Sequence, residues 1–416
     1  MRGDLIITLA HCRALDARDP LRAIRDRFAR PAEDTVYLDG NSIGAMPADA
    51  AARVERVMLD GWRDARRRGW NRFDWLDKPW RMGEGVAHIL GAGAGDVVFC
   101  DNTTVNLYKV LGYAWQLDRA RPVIVTEAHN YPTDAYVAEG LARFAGGGAA
   151  VRRIDEPAKL DAALRADVGV VYLSHVDYRT SRRWNMAEVN ELAHARGALA
   201  MWDCSHAAGA VPVDLGGSGA DFAVGCGYKY LCGGPGAPAW LYVHPRHQDR
   251  AWPVIAGWMG HADVFAFAPD YEPRPGVRRH LTGTPGIIAN EAMAAAVDVW
   301  RDVARDDLAW KHRSLSELAA ALLEQECGAL GVRVTSPRKY DEQGGHVGFS
   351  HPGAGPVCEA LLEHGVVSSF RKPDVVRFGI SPVAISHEDL WVAVSRLRRV
   401  LETEVWREPR FKKVSV

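Results

Sequence analysis

The chain has 416 residues, 48% of them hydrophobic and 25% charged, and its 51 Lys+Arg against 52 Asp+Glu give a formal net charge of -1. A charge this close to zero supplies no field to attract nucleic-acid phosphates or anionic lipid heads, so composition argues against both kinds of partner. Small-molecule chemistry is the remaining expectation, in a chain long enough for two or three domains.

Seven cysteines occur without any CxxC pair. This odd set predicts neither a disulfide framework nor a zinc site, and it favours a reducing compartment. The apolar run at residues 5–10 is too short for a signal peptide, and no stretch approaches the roughly eighteen apolar residues of a membrane span. We therefore expect a cytoplasmic protein without a bound metal.

Short apolar runs alternate with amphipathic helices through the middle of the chain, which is typical of a mostly parallel sheet covered on both faces. The predicted strands lie at 97–100, 122–126, 168–173, 198–202, 221–225 and 239–243. Between the third and fourth strands, Asn185 and Glu188 form a capping-box pattern and Gly197 marks the end of a helix. These elements predict a βαβ unit in an α/β fold.

After about residue 285 the pattern changes to long helical stretches at 287–303 and 307–324, then to shorter strands and a final helix. Ser386 is the expected N-cap of that helix, and Leu390, Val394 and Leu397 fall on one apolar stripe. This part of the sequence predicts a smaller α+β domain.

Two further motifs have plain structural interpretations. The basic run RDARRR at 63–68 predicts the solvated face of a helix, since acidic residues lie nearby. GAGAGD at 91–96 lacks the GxGxxG spacing and the preceding strand of a dinucleotide site, so it predicts a turn.

The segment at 202–236 carries the strongest chemical signal. Asp203 directly follows one predicted buried strand, and Lys229 follows the next strand within the sequence GYKY. Parallel strands end at the same edge of an open α/β sheet, where ligands bind, so both side chains are expected at one rim.

An isolated Asp and Lys would most simply form a structural ion pair. Here Lys229 lies between Tyr228 and Tyr230 and is followed by GGPG, a context that favours a Schiff-base lysine whose pKa is lowered by its surroundings. Asp203 would then pair with the pyridinium nitrogen of pyridoxal phosphate and keep it protonated, so that the ring accepts electrons.

Seven blocks, in order along the chain, closely resemble kynureninases, which are pyridoxal-phosphate enzymes of fold type I. The blocks are YLDGNSIG at 37–44, NTTVNLY at 102–108, NYPTDAY at 130–136, YLSHVDYRTS at 172–181, GWMGH at 257–261, TGTPG at 282–286 and VRFGISP at 376–382. The resemblance implies a large, mostly parallel-sheet domain at 51–285, a small C-terminal α+β domain at 286–416, and an N-terminal segment at 1–50 associated with the small domain.

The resemblance also implies a cofactor site. Lys229 would carry the cofactor, Tyr228 would bind its phosphate or transfer protons, and Asp203 would hold the pyridinium nitrogen. The other implied cofactor contacts are Thr103, Thr104, Tyr131, Asp134, Ser174 and His206. The two threonines also lie at a predicted helix start, which suits a phosphate but is equally typical of an ordinary helix cap.

Substrate and subunit contacts follow from the same resemblance. Arg377 would bind the substrate α-carboxylate through its guanidinium fork. Trp258 and Thr284 resemble residues that reach the cofactor phosphate from a partner subunit, which implies a homodimer with shared active sites. Gly283 and Thr284 together resemble the form that favours kynurenine over 3-hydroxykynurenine. Trp70 would face the aromatic ring of the substrate, with core packing as the open alternative.

Three positions depart from the usual family pattern. Tyr131 stands where most relatives have Phe, Cys232 stands where Asn is usual, and Cys204 replaces a more apolar residue. None of these changes removes a catalytic group. The choice between kynurenine, its 3-hydroxy form and a modified analogue stays open.

The implied reaction is hydrolytic Cβ–Cγ cleavage of L-kynurenine to anthranilate and L-alanine, a step of tryptophan catabolism by the kynurenine pathway, which also serves NAD biosynthesis. A cysteine desulfurase or aminotransferase of the same fold is one alternative. A desulfurase needs a nucleophilic cysteine on a mobile loop, and the C-terminal candidates Cys327 and Cys358 lie in contexts that suggest packing. A non-catalytic relative is the other alternative, and the retained Lys229, Asp203 and Arg377 argue against it.

Overall fold

The computed structural model describes residues 6–31 and 34–412 of the chain. Its α-helices are α1 (Leu9–Asp16), α2 (Arg22–Arg25), α3 (Ala50–Arg56), α4 (Gly69–Arg72), α5 (Lys78–Ala87), α6 (Thr103–Leu117), α7 (Pro132–Phe144), α8 (Leu160–Ala163), α9 (Met186–Ala195), α10 (Ile287–Trp300), α11 (Arg305–Cys327), α12 (Ala354–Glu363) and α13 (His387–Glu402). A π-helix over Val57–Ala65 continues α3. The strands are β1 (Val36–Tyr37), β2 (Val97–Cys100), β3 (Val123–Glu127), β4 (Ala150–Ile154), β5 (Val168–Ser174), β6 (Leu199–Asp203), β7 (Phe222–Gly225), β8 (Ala239–Val243), β9 (Arg333–Val334), β10 (His346–Ser350), β11 (Val366–Val367), β12 (Ser369–Arg371) and β13 (Val375–Gly379).

The largest sheet has the strand order β2-β8-β7-β6-β5-β3-β4. Neighbouring strands from β7 to β4 run parallel, and β8 is antiparallel to both β2 and β7. Each predicted strand is present with its ends shifted by no more than one residue. The predicted α/β fold with a mostly parallel sheet is therefore confirmed.

Strand β4, at one edge of this sheet, has no counterpart among the predicted strands. It pairs only with β3, and most of its side chains are partly or fully exposed. Arg152 and Arg153 in the strand form ion pairs with Asp167 and Glu139, respectively. An edge strand with this exposure has no apolar run, which is the signal on which the other strand predictions depend.

Several local predictions are confirmed. Asn185 accepts a hydrogen bond from the backbone N–H of Glu188, and Gly197 ends that helix with a φ of +73°. Ser386 and Asp389 form a capping box at the start of α13. The basic run at 63–68 is largely exposed, and residues 91–96 form a turn. Within residues 6–31 and 34–412, no helix has the length and apolar character needed to cross a membrane.

A second sheet, of strand order β12-β13-β10-β9, is antiparallel and forms the smaller part of the fold. Its apolar core is shared with α11, α12 and α13. Cys12, Val36 and Leu38 of the N-terminal segment are buried in this same core, and β1 pairs with β11. Leu21, Ile24 and Phe28 of the same segment are buried in the core of the large sheet, so the association of residues 1–50 with the small domain stays a prediction.

The placement of α10 bears on the boundary between the domains, which stays a prediction. Met293, Val297 and Trp300 of this helix are buried in the core of the large sheet, as is Leu308 at the start of α11. From Leu315 onward, α11 contributes to the small core. The packing therefore favours a boundary inside α11 rather than at residue 285.

Buried polar side chains tie the N-terminal segment to α11 and α13. Lys311 is fully buried and forms an ion pair with Asp19. Asp16 accepts hydrogen bonds from the His387 ring and from the backbone N–H groups of His387 and Glu388, at 2.8 to 3.0 Å. Burial disfavours the charge of Asp16, but these hydrogen bonds outweigh it and lower its pKa to about 2.

Replacing Asp16 with Asn should lower the free energy of unfolding by about 2 kcal/mol at pH 7, because charge-assisted hydrogen bonds are lost. The pKa of Asp16 is depressed in the folded state, so its contribution is complete above about pH 4 and disappears as the pH falls toward 2. Urea unfolding across this range should show the wild type and variant converging. Glu388→Gln, which breaks an exposed pair with Arg13, is the control and should change stability little. A pH-independent difference for Asp16→Asn would contradict the interpretation.

Candidate active site

Three adjacent strands bring their carboxyl ends to one edge of the large sheet. Ser174, the last residue of β5, is in register with Asp203, the last residue of β6. Asp203 is in turn in register with Val224 of β7. Lys229 follows β7 by a short loop, so the structure brings the predicted Asp and Lys to the same rim.

Lys229 lies against His206. Its Nζ is 2.9 Å from His206 Nε2 and 5.8 Å from the ring centres of both Tyr131 and Tyr228. Burial, together with the positive charges of Lys229 and Arg377, holds the pKa of His206 well below its usual value. His206 is therefore neutral at pH 7, and its Nδ1 is buried without a hydrogen-bond partner.

Two carboxyl groups are buried together at this rim. Burial raises the pKa of Asp203, and Lys229 and hydrogen bonds involving Ser205 oppose that rise. Burial and the charge of Asp203 raise the pKa of Asp134 well above its usual value. Ser174 Oγ lies 2.6 Å from Asn130 Oδ1 and 3.1 Å from Asp134 Oδ2. A hydroxyl has one hydrogen, so Ser174 donates to Asn130 and can accept from a protonated Asp134.

Thr103 and Thr104 form the first turn of α6. The preceding residue, Asn102, caps the helix by accepting a hydrogen bond from the backbone N–H of Val105. Thr103 Oγ1 is buried without a hydrogen-bond partner. The turn thus offers an unsatisfied hydroxyl and helix N-terminal amides, which together suit an anion.

A cavity of about 630 Å³ lies beside this turn. Its lining residues include Ile43, Asn102, Tyr228 and the loop that contains Gly283 and Thr284. The two predicted loop residues thus share a cavity with the predicted Tyr228.

Trp70 and Trp258 lie together, with ring centres 5.5 Å apart in an edge-to-face contact. Both are partly buried and pack against the apolar cluster on the α6 face of the sheet. This contact accounts for both side chains as packing residues within one chain. Their predicted roles toward substrate and cofactor stay predictions.

Arg377 is fully buried on β13. Its Nε and Nη2 donate to Ser369 Oγ at 3.2 and 3.0 Å, and its Nη1 donates to the carbonyl of Tyr178. Burial and the nearby Arg371 lower its pKa to about 10, so it keeps its charge at pH 7. These bonds within the described residues use three of its five N–H groups and leave one on each terminal nitrogen, a pair that suits a carboxylate.

Tyr178 and Asn130 belong to the site but were not predicted as site residues. The Tyr178 ring meets that of Tyr131 edge-to-face at 5.3 Å, and its carbonyl binds Arg377. Asn130 orients Ser174. Both residues lie in sequence blocks that follow strand ends, and that position is the signal that could have identified them.

Cys232, one of the departures from the family pattern, has a φ of +64° and is fully buried. This left-handed conformation is unfavourable for most side chains and is tolerated by Gly and Asn. The Asn that is usual at this position therefore has a backbone explanation, and the Cys introduces local strain.

The fold and the rim define a class of protein. The apo structure of a cysteine desulfurase from Thermococcus onnurineus NA1 matches with a TM-score of 0.75 and 20% identity, over 92% of this chain and 98% of that one. A C-DES variant with glycine covalently linked to its PLP cofactor matches with a TM-score of 0.75 and 18% identity, over 90% and 98%. The architecture is that of fold type I pyridoxal-phosphate enzymes.

Sequence comparison defines the family within that class. A kynureninase from Deinococcus radiodurans is 45% identical over 401 residues, which cover 95% of this chain and 97% of that protein. A kynureninase from Pseudomonas fluorescens is 41% identical over 404 residues, which cover 96% and 97%. The family model for the kynureninase C-terminal domain matches residues 308–397. The chain belongs to the kynureninase family.

Replacing Cys232 with Asn should be less destabilising than the same replacement at Cys327 by about 1 kcal/mol, because both variants bury an amide but only position 232 has the left-handed backbone that Asn tolerates. Thermal unfolding of the two proteins measures this difference. Cys327→Asn is the matched control, since Cys327 is equally buried but has a φ of -123°. That variant should lose stability by burying an amide. Destabilisation of equal size in both variants would contradict the strain argument.

Proposed function

We propose that this protein cleaves the Cβ–Cγ bond of L-kynurenine hydrolytically, with pyridoxal phosphate as cofactor, to give anthranilate and L-alanine. The observation that carries the proposal is the grouping of Asp203, His206 and Lys229 at one sheet edge in a chain 45% identical to a kynureninase. Arg377, on strand β13 of the small sheet, is the fourth member of this group, and its charge acts on His206.

The residues present fit pyridoxal phosphate. Asp203 is a buried carboxylate that can face a protonated ring nitrogen, and the unpartnered Nδ1 of His206 offers a further polar contact. At the other end of the site, the unpartnered Thr103 hydroxyl and the start of α6 suit the phosphate. The Tyr131 ring would stack on the ring of the cofactor, and the amine of Lys229 would bond covalently to the cofactor's aldehyde carbon.

Pyridoxal phosphate, when bound, supplies an electron sink for bonds broken at the α- and β-carbons of an amino acid. The task of Lys229 is to remove the α-proton with its free amine and to return a proton later. The neutral His206 ring, 2.9 Å away, can accept a hydrogen bond from that amine and so hold it in place. Asp134 retains a proton, which leaves Asp203 as the single charged carboxylate at the rim.

Substrate orientation falls to Arg377, whose two remaining N–H groups would bind the α-carboxylate. Tyr228 lines the cavity, and burial raises the pKa of its phenol. Its hydroxyl therefore keeps its proton at neutral pH and can donate it to Cβ, which becomes the methyl carbon of alanine after water has added to Cγ, or can bind the phosphate.

Gly283 offers no polar side chain to bind a 3-hydroxyl group, and together with the resemblance of the Gly283–Thr284 pair this supports kynurenine over the 3-hydroxy form as the preferred substrate. Trp70 is proposed to face the aromatic ring. In a cell, the reaction would belong to tryptophan breakdown.

A cysteine desulfurase is the second candidate, because desulfurase structures share the fold. Its chemistry requires an accessible nucleophilic thiol. Cys327 and Cys358 are both buried within helices, and burial raises the pKa of each thiol, to about 12 and about 11. These features favour kynurenine cleavage.

We also propose a homodimer in which Trp258 and Thr284 act in the partner's site. Met58, Leu59 and Trp62 on the π-helix are exposed apolar side chains, as is Ile288 at the start of α10. These elements are neighbours, so a second copy of the chain would cover them together. A cytoplasmic location is proposed from the seven free cysteines, which favour a reducing compartment.

Purified protein supplied with pyridoxal phosphate should become yellow and convert kynurenine to anthranilate, measured by anthranilate fluorescence. Lys229→Ala should lower kcat by about 10³-fold or more, because the base is lost. Lys159→Ala, at an exposed lysine paired with Asp155, is the control and should keep full activity. Turnover retained by Lys229→Ala would overturn the assignment.

Substrate comparisons complete this test. The value of kcat/KM should be higher for kynurenine than for 3-hydroxykynurenine, and no alanine should form from cysteine. Alanine release from cysteine without anthranilate release from kynurenine would favour the desulfurase instead.

Mixing two inactive variants tests the shared site. Lys229→Ala and Trp258→Ala subunits, mixed and allowed to exchange, should regain roughly a quarter of wild-type activity, because half of the dimers are hybrids and each hybrid has one intact site. Anthranilate production by the mixture measures the recovery. If Trp258 acts within its own chain, mixing will restore no activity.

A further inference from the structure

The structure assigns Lys109 as a positioning residue for the cofactor-binding turn, an inference that rests on the proposed function. Lys109 is 1% exposed and lies on α6, two turns after Thr103. Its ammonium group points back to the start of the helix, where it reaches the end of strand β2. A buried ammonium is costly unless all of its hydrogens are bonded.

Every hydrogen of the ammonium has an acceptor. Nζ donates to Asp101 Oδ2 at 2.6 Å, to the carbonyl of His280 at 2.8 Å and to Cys100 Sγ at 3.3 Å. Two acceptors lie directly before the α6 turn, and the third precedes the loop that contains Thr282. One buried cation therefore joins two segments that border the cavity.

Asp101 also links these two segments directly. Its φ is +45°, a left-handed conformation that is unfavourable for a non-glycine residue. Its carboxylate accepts a hydrogen bond from Thr282 Oγ1 at 3.1 Å, and its carbonyl accepts one from the backbone N–H of Ala239 at 3.0 Å. The chain reverses here immediately before Asn102 and Thr103, so the conformation of Asp101 sets the direction from which the α6 N-terminus meets the phosphate.

The same bonds reach the opposite wall of the cavity. Thr282 precedes Gly283 and Thr284, and its carbonyl accepts from the backbone N–H of Met259, next to Trp258. The residues proposed to serve the partner's site are thus tied to the turn that serves the chain's own site. Lys109 would position both without touching cofactor or substrate.

A comparison of two ligands separates this role from ordinary structural stability. Wild type, Lys109→Met and Asp101→Asn, stripped of cofactor, are titrated with pyridoxal phosphate and with pyridoxal, which lacks the phosphate. Lys109→Met should raise the Kd for pyridoxal phosphate about tenfold and leave the Kd for pyridoxal nearly unchanged, because only the phosphate turn is displaced. Asp101→Asn should likewise raise the ratio of the Kd for pyridoxal phosphate to the Kd for pyridoxal.

Lys311→Met is the matched control, since Lys311 is also fully buried and paired with a carboxylate, that of Asp19 in the N-terminal segment. It should lower the midpoint of thermal unfolding without changing the ratio of the two Kd values. If Lys109→Met does not fold, Asp101→Asn and Thr282→Val, which removes only the Thr282 hydroxyl, decide the question. An unchanged ratio in the folded variants would overturn the assignment.

The proposed function and this inference fail in different ways. Wild-type protein that binds pyridoxal phosphate but cleaves no kynurenine would refute the proposed reaction, while the Kd ratios would still decide the role of Lys109. Wild-type activity on kynurenine with equal ratios in all variants would refute only the role of Lys109.

Discussion

The parallel register of β5, β6 and β7 is the constraint on which the rest of the site depends. It sets Ser174 beside Asp203 and ends the three strands at one edge, with helices covering both faces. A carboxylate at that edge is buried because helices cover both faces of the sheet, and its charge is stabilised by a nearby group of opposite sign. The loop after β7 supplies Lys229 because β7 is the next strand in space as well as in sequence. The placement of a carboxylate and an ammonium group at the same edge, where the charge of Lys229 favours ionised Asp203, thus follows from the strand order.

Burial also determines the protonation of the rim. Two carboxyl groups at close range in a poorly solvated site cannot both ionise, so the proton remains on Asp134, where the pKa is raised further by the charge of Asp203. The shorter distance from Ser174 Oγ to Asn130 Oδ1, 2.6 Å against 3.1 Å to Asp134 Oδ2, is compatible with this assignment. His206 stays neutral beside Lys229 for the same reason of burial. The rim therefore presents one negative charge, which matches a cationic ring nitrogen.

Sequence reasoning predicted the elements whose signals are local. Apolar runs identified the buried strands, and Ser386 and Asn185 identified helix starts, since caps depend on neighbouring residues. The features that were not predicted depend on tertiary packing. Lys109 is a lysine in a helix, which in a sequence suggests a solvated side chain, and only the packing of α6 against β7 and β8 of the large sheet reveals its burial. Likewise, the apolar pattern of α10 shows that the helix is buried but not against which core.

Arg377 connects the two cores at the proposed substrate site. It belongs to the small sheet, yet its guanidinium donates to the carbonyl of Tyr178, in the loop that follows β5. The Tyr178 ring in turn contacts Tyr131, whose ring lies 5.8 Å from Lys229 Nζ. A carboxylate bound by Arg377, as proposed, would thereby be held at a fixed place relative to Lys229, through the successive contacts of Tyr178 and Tyr131. The fold shared with desulfurase structures at 20% identity supplies the sheet edge. The contacts that join Arg377 to Lys229 are made by side chains of this sequence, so the proposed selectivity for an amino-acid substrate would depend on them rather than on the fold.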